Sequence, residues 1–165
     1  MSVTDEILIA NEVYSRDHHL VHLSPRPKRK LAVLTCMDTR LSIKTLGLDV
    51  GDAHIIRNAG GIVTEDALRS LIISHYQLGS EEFVLIHHTD CGMLTFTDDE
   101  LRAKLQRISG TAVLSPHHFY AFKDVERSVR EQMQKLQSHP WIPKEIGVRG
   151  FVYDVKTGRL KEILG

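Results

Sequence analysis

This chain has no excess of charge of either sign: 21 Lys plus Arg stand against 21 Asp plus Glu. That balance removes the electrostatic argument for nucleic acid or an anionic membrane as a partner. A long hydrophobic run is also missing, since nothing approaches the roughly 18 apolar residues that would suggest a membrane span. The N-terminal segment carries Asp5, Glu6, Glu12 and Asp17 with no long apolar stretch, so no secretory signal is predicted. Cysteine is scarce. Cys36 and Cys91 are the only two in 165 residues, which excludes a disulfide-dense scaffold. With nothing pointing to export, free or metal-bound thiolates in a reducing cytoplasm are expected. Internal repeats and low-complexity tracts are absent as well. What is present is ordinary soluble composition, 42% apolar and 25% charged. A chain of this length buries a core unaided, so a single domain over 1–165 is predicted, with 1–29 as a helical arm and linker and 30–165 as the core.

Along that core, apolar runs alternate with helical patterns. Leu31–Thr35 reads as a strand, followed by a short helical piece near Leu41–Leu46 and a second strand, Ala53–Arg57. After Asn58-Ala59-Gly60-Gly61, Thr64 is expected to cap a helix carrying Leu68, Leu71, Ile72, His75 and Tyr76, which Gly79 stops. A strand over 83–87, a polar helix near Asp98–Ile108, a loop over Ser109–His118 and an amphipathic helix over Asp124–Gln137 follow. Val148–Val155 and Leu160–Leu164 complete the set as strands joined at Lys156-Thr157-Gly158. The predicted fold is α/β: a mostly parallel central sheet of four strands plus a C-terminal antiparallel edge strand, with helices on both faces. Ahead of it, Thr4 is expected to cap an N-terminal helix bearing Ile7, Leu8 and Ile9, set off by a linker with Pro25 and Pro27. That arm packs either on its own core or on a second subunit.

Each cysteine sits just past an apolar strand, where ligands bind in open parallel sheets. Buried free cysteines are common in their own right. Here, however, His88 and Cys91 lie three apart across a turn, and with Cys36 they make three soft or borderline ligands. A catalytic zinc uses such a set when its fourth position stays open for water. His87 competes with His88, but successive strand residues face opposite sides, and the spacing to Cys91 favours His88. Asp38 and Arg40 follow Cys36 closely. Beside a metal, the carboxylate would take a hydrogen bond from bound water and the guanidinium would hold it aligned. Asp38 binding the metal directly is the open alternative. Gly60 and Gly61 are candidate substrate contacts, through backbone N–H groups ahead of a helix.

Assembled in order, these segments resemble the β-class carbonic anhydrases. The matching motifs are Cys36-Met37-Asp38-Thr39-Arg40, Gly51-Asp52-Ala53-His54 with Ile56-Arg57-Asn58-Ala59-Gly60-Gly61, and His88-Thr89-Asp90-Cys91-Gly92. Pro143 to Gly158 is similar to that family's last strand and hairpin, and the His-Thr-Asp-Cys-Gly loop to its short subgroup. The resemblance implies one Zn²⁺ per chain on Cys36, His88 and Cys91, with Asp38 and Arg40 as the dyad beside the bound water. It implies a carbonate dehydratase: reversible hydration of carbon dioxide to bicarbonate and a proton, by attack of zinc-bound hydroxide. Hydrolysis of carbonyl sulfide or carbon disulfide on the same scaffold is the alternative, and a non-catalytic zinc-binding scaffold the less favoured one. A homodimer or dimer of dimers, clasped by the N-terminal helix, is also implied, with a small-molecule substrate and neither nucleic acid nor membrane as partner. Some relatives close when the Asp replaces water on zinc, with bicarbonate in a pocket that includes a tryptophan three residues before the first cysteine. That position is Val33 here, although Arg57 matches the pocket's Arg, so the open form is expected.

Overall fold

The computed structural model describes residues 1–113 and 115–165; Leu114, inside the expected loop Ser109–His118, lies outside the described residues. A five-stranded sheet organises the chain: β1 (Leu31–Cys36), β2 (Ala53–Asn58), β3 (Glu82–His88), β4 (Gly147–Tyr153) and β5 (Leu160–Ile163). Its spatial order is β2-β1-β3-β4-β5, with β5 antiparallel to β4 and every other pair parallel. The expected sheet therefore forms. β4 ends at Tyr153 because Asp154 opens the turn, its carboxylate accepting the N–H of Lys156 and Thr157.

Side-chain alternation divides the interior in two. Ala32 and Leu34 of β1, Phe83 and Leu85 of β3 and Val148 and Val152 of β4 face one core with Ala67, Leu71, Val129, Met133 and Leu136. The last five belong to helices α2 (Glu65–Tyr76) and α4 (Val125–Gln137). Val33, Ile86 and Tyr153 face the other core with Leu41, Leu48 and Met93, bordered by partly exposed Ile55, Val84 and Phe151. Gly150 explains how closely α4 approaches: an added Cβ would lie 2.4 Å from Val129 and from Met133. Alanine there would overpack the interface, at a cost of about 1–3 kcal/mol.

Helix ends follow their capping residues. Thr64 accepts the Ala67 N–H at the start of α2, with Glu65 and Asp66 in the first turn, and Tyr76 at its far end is exposed. Helix α3 (Asp98–Ser109) opens with a capping box between Thr97 and Glu100. The N-terminal helix α1 (Val3–Arg16) corrects one expectation: its cap is Ser2, paired reciprocally with Asp5, and Thr4 lies inside the helix. No residue of α1 is buried. The linker behind it, by contrast, docks on the core. Pro27 is buried, Lys28 and Arg29 donate to the carbonyls of Gly51 and Asp52, and His54 reaches the Pro25 carbonyl.

Chain order sets where a ligand can sit. β1 runs to β2 on one side, and the chain then crosses to β3 on the other side of β1. The crevice beyond the carboxyl ends of β1 and β3 is thus a topological switch point.

Candidate metal centre and active site

At that crevice, β1 ends in Cys36, β3 ends in His88, and Cys91 follows on the next turn. All three are buried, and their ligand atoms lie within 4.8 Å of one another. Among the described residues this is the one group of three or more such side chains placed to hold a metal ion. The imidazole is set up for the purpose. His88 Nδ1 lies 2.9 Å from the Thr89 carbonyl, which can only accept, so Nδ1 carries the proton and Nε2 presents a lone pair. His88 Nε2 is buried with no hydrogen-bond partner. A bare acceptor between two buried thiols is costly unless a cation meets it.

The charges agree. The hydrogen bond from Cys91 pulls the Cys36 thiol far below its usual range, and the same contact pushes Cys91 up. Burial opposes charge on His88, but the neighbouring Cys36 sulfur outweighs it and raises the imidazole. A cation among these three side chains would satisfy all of them. A soft, dipositive ion fits this donor set.

Asp38 stands next to this cluster, with Oδ2 3.7 Å from His88 Nε2. It is turned toward Arg40, whose Nη2 donates to Oδ2 at 2.8 Å and whose Nε donates to Oδ1 at 3.0 Å. The Arg40 backbone N–H adds a third bond at 2.9 Å. These bonds from Arg40 hold the Asp38 carboxyl well below the usual carboxylate range. Arg40 is itself fastened on its far edge, to Asp90 Oδ2 at 2.7 Å and to the Asp90 carbonyl at 2.9 Å. One guanidinium therefore ties the Cys36 loop to the His88–Cys91 turn. Arg57 holds the first loop from beneath, donating to the carbonyls of Cys36, Asp38 and Leu41.

Gly60 and Gly61 sit at the same edge with different roles. Gly60 lines the cleft, and its N–H lies 3.4 Å from Cys36 Sγ. Gly61 lies behind it, and its carbonyl meets His87 Nε2 at 3.1 Å. His87 is fully buried, stacked on Phe122, and pushed down to about 4 by that burial, so it is neutral. It occupies the opposite side of the strand from His88, as alternation requires.

The cleft above Cys36 and Cys91 measures about 550 Å³ and is walled by Met37, Met93, Phe96, Leu101 and Phe119. Its outer wall is held by Asp98, whose carboxylate accepts the N–H groups of Phe119, Tyr120 and Ala121. Burial raises the Asp98 carboxyl, and those three donors outweigh it to keep the group ionised. Sequence reasoning missed Asp90, Asp98 and Phe122. Asp90 was within sight, one residue before a candidate ligand, but its partner Arg40 lies 50 positions away.

Comparison with known proteins agrees with this geometry. The carbonic anhydrase family model matches residues 31–160. The chain is 42% identical over 165 residues to β-carbonic anhydrase 1 of Mycobacterium tuberculosis, covering 99% of each. A carbon disulfide hydrolase of Acidianus is 39% identical over 157 residues, covering 81% of this chain and 77% of its own. Among solved structures, the carbonic anhydrase of Streptococcus mutans superposes with a TM-score of 0.93 at 47% identity, covering 99% of both chains.

Proposed function

The chain belongs to the β-class carbonic anhydrase family, and from that premise we propose that it catalyses the reversible hydration of carbon dioxide to bicarbonate and a proton, with one zinc ion held by Cys36, His88 and Cys91. The observation that carries this reading is the unpartnered Nε2 of His88 between two buried cysteines, with Asp38 beside it but fastened to Arg40. Zinc bound there would act as a Lewis acid that makes a water molecule acidic enough to serve as nucleophile near neutral pH.

The chain's own residues supply the rest. Asp38 Oδ2, 3.7 Å from His88 Nε2, would accept a hydrogen bond from the attacking water and orient its lone pair toward the carbon. Arg40 keeps that carboxylate ionised and turned outward, so it orients the water rather than displacing it. Asp90 fixes the guanidinium plane in turn. The apolar wall of Met37, Met93, Phe96, Leu101 and Phe119 suits an uncharged linear substrate that carries no hydrogen-bond donor. Gly60 borders the substrate by shape, since its N–H faces Cys36 Sγ. A scaffold role without turnover leaves the Asp38–Arg40–Asp90 arrangement without a purpose.

The same wall accommodates carbon disulfide or carbonyl sulfide, and a relative named for carbon disulfide hydrolysis is 39% identical. Stopped-flow assays on metal-quantified protein separate the readings. Carbon dioxide hydration well above the buffer rate, with slower sulfide release from carbon disulfide, is expected. The reverse ranking would assign the sulfur substrate, and no turnover of either would overturn the enzymatic reading of the site.

Residues 1–29 form an arm on a core of 30–165. Helix α1 exposes Ile7, Leu8, Ile9, Val13 and Tyr14, and a second copy of the chain is the occupant we assign to that face, as a homodimer or dimer of dimers. Two thiols that must stay reduced to hold a metal suit the cytoplasm, and among the described residues no helix is long and apolar enough to cross a membrane.

A further inference from the structure

We propose that His87 is a positioning residue for the metal centre: it holds the Asn58–Ile62 turn so that the Gly60 N–H points at the Cys36 sulfur. The inference rests on the reading of Cys36 as a metal ligand and extends it to the groups that tune that ligand.

His87 is fully buried and takes no part in the chemistry above. Burying an imidazole costs free energy that a leucine in the same space would not. The histidine has one contact a leucine could not make, Nε2 at 3.1 Å from the Gly61 carbonyl. Because a carbonyl only accepts, Nε2 carries the hydrogen, and Nδ1 is left with no hydrogen-bond partner. The side chain thus makes a single hydrogen bond, aimed at one turn.

That turn has no slack. Gly61 has φ +70°, and an added Cβ would lie 3.1 Å from the Cys36 nitrogen and 3.3 Å from the Ile86 carbonyl oxygen. Asn58 closes the turn on itself, donating from Nδ2 to the Ile62 carbonyl at 2.7 Å and accepting the Ile62 N–H at 2.8 Å. Phe122 stacks on His87 with ring centroids 5.5 Å apart, and an added Cβ on Gly60 would lie 3.2 Å from the Phe122 ring. Pinned at Asn58, Gly61 and Ile62, the turn places the Gly60 nitrogen 3.4 Å from Cys36 Sγ.

An N–H···S bond withdraws electron density from a thiolate. Hydrogen bonds to cluster sulfurs tune reduction potentials in the same way. The effect matters here because two thiolates together neutralise a divalent ion and weaken it as a Lewis acid. The Gly60 bond restores part of that strength without adding a charge, and His87 keeps the bond in place.

Cobalt(II)-substituted protein tests this through its thiolate-to-metal charge-transfer band. His87→Leu should move the band to longer wavelength and shift the rise of kcat with pH to more alkaline values. His87→Gln, whose amide N–H can reach the Gly61 carbonyl, should return both toward wild type. A folded, cobalt-loaded His87→Leu protein with the wild-type band and pH profile would overturn the proposal. Should His87→Leu fail to fold, the wild-type protein decides. Loaded with ¹¹³Cd, it should show scalar coupling between the Gly60 amide proton and the metal, and ¹⁵N spectra should show His87 as the Nε2–H tautomer. Missing coupling, or the Nδ1–H tautomer, would overturn it. Absence of any charge-transfer band in cobalt-treated wild type would instead strike the reading of Cys36 as a ligand.

Discussion

The cleft beyond β1 and β3 and the helix α1 are the two extremes of this molecule. At the cleft, nearly every polar group is fastened within the chain: Asp38 to Arg40, Arg40 to Asp90, Arg57 to the Cys36 loop, and Gly60 to Cys36. Two buried nitrogens are exceptions, His87 Nδ1 behind the Gly61 turn and His88 Nε2 beside the two cysteines, and the second defines the site. Along α1 the situation is inverted. Its polar ends are satisfied by the Ser2 capping box and the Arg16–Glu12 pair, whereas Ile7, Leu8, Ile9, Val13 and Tyr14 stay more than half exposed. A short helix standing free in water draws most of its stability from packing, which this one lacks. The unpartnered His88 nitrogen suits a cation, and the exposed apolar residues of α1 suit a covering apolar surface.

The largest effect expected from disturbing that comparison is loss of the metal. Cys36→Ser, His88→Ala and Cys91→Ser should each lower zinc content from one per chain toward zero by elemental analysis, with activity falling to background. His87→Ala should keep zinc, since its ring lies behind Gly61. Zinc retained in His88→Ala but lost in His87→Ala would reverse the ligand assignment. In the proposed mechanism Asp38 and Arg40 act on the water rather than the ion, so Asp38→Asn and Arg40→Ala should both remain zinc-loaded while kcat drops about 10²-fold or more. Near-normal turnover in zinc-loaded Asp38→Asn protein would remove that residue from the mechanism.

These side chains were legible because the signal for them is local. Ligand types at strand ends, the spacing from His88 to Cys91 and the alternation that separates His88 from His87 can all be read along the chain. Asp38 and Arg40 also lie within one turn of each other. The parallel sheet was legible for the same reason, as apolar runs punctuated by Thr64, Gly79 and the Lys156-Thr157-Gly158 turn, although β4 ends at Tyr153 rather than at the expected Val155. Contacts made across the fold were not. Asp90 meets Arg40 over 50 positions, and Asp98 captures the N–H groups of 119–121 over more than 20. Nothing in the spacing of either residue identifies its partner. The Gly60 and Gly61 amides illustrate the limit from another side. A glycine pair ahead of a helix suggests an anion site, but folding turns the Gly60 N–H onto a sulfur. The cap of α1 was misplaced because Ser2 and Thr4 are both competent caps, and only the Asp5 side chain returning to Ser2 separates them.

A smaller and separable effect is expected from the arm. Deleting 1–22 removes α1 but leaves Leu23 against Gly51 and Pro27 in the core, so the sheet and the cleft should be preserved. Light scattering should show a shift toward monomer, with zinc content per chain unchanged. A charge on the apolar face should act in the same direction, as in Ile7→Asp. An oligomer of unchanged mass after the deletion would place the interface on another surface, such as the sheet face bordered by Ile55, Val84 and Phe151.

The smallest expected effect is none at all. In relatives that close, bicarbonate beside the first strand favours a state in which the Asp leaves its Arg and binds zinc, and a ligand shifts such an equilibrium only if it binds one state better. Here the corresponding space, bordered by Val33, Arg57 and Tyr153, measures about 20 Å³. That is room for about one water molecule. It also lacks the indole donor, and Arg57 is already engaged by the carbonyls of Cys36, Asp38 and Leu41. To bind bicarbonate there, Arg57 would have to release the loop that carries Asp38, giving up contacts in the open state with nothing in the cavity to replace them. Meanwhile Asp38 is held by three hydrogen bonds from Arg40, which Asp90 braces. Crystals of zinc-loaded protein grown with bicarbonate at mildly acidic pH should therefore show Asp38 still on Arg40 and no anion between Val33 and Arg57. The Asp38 carboxylate found on zinc under those conditions would overturn this account. If Val33→Trp with bicarbonate brought Asp38 onto the metal while wild type did not, the missing side chain itself would be identified as what keeps this enzyme open.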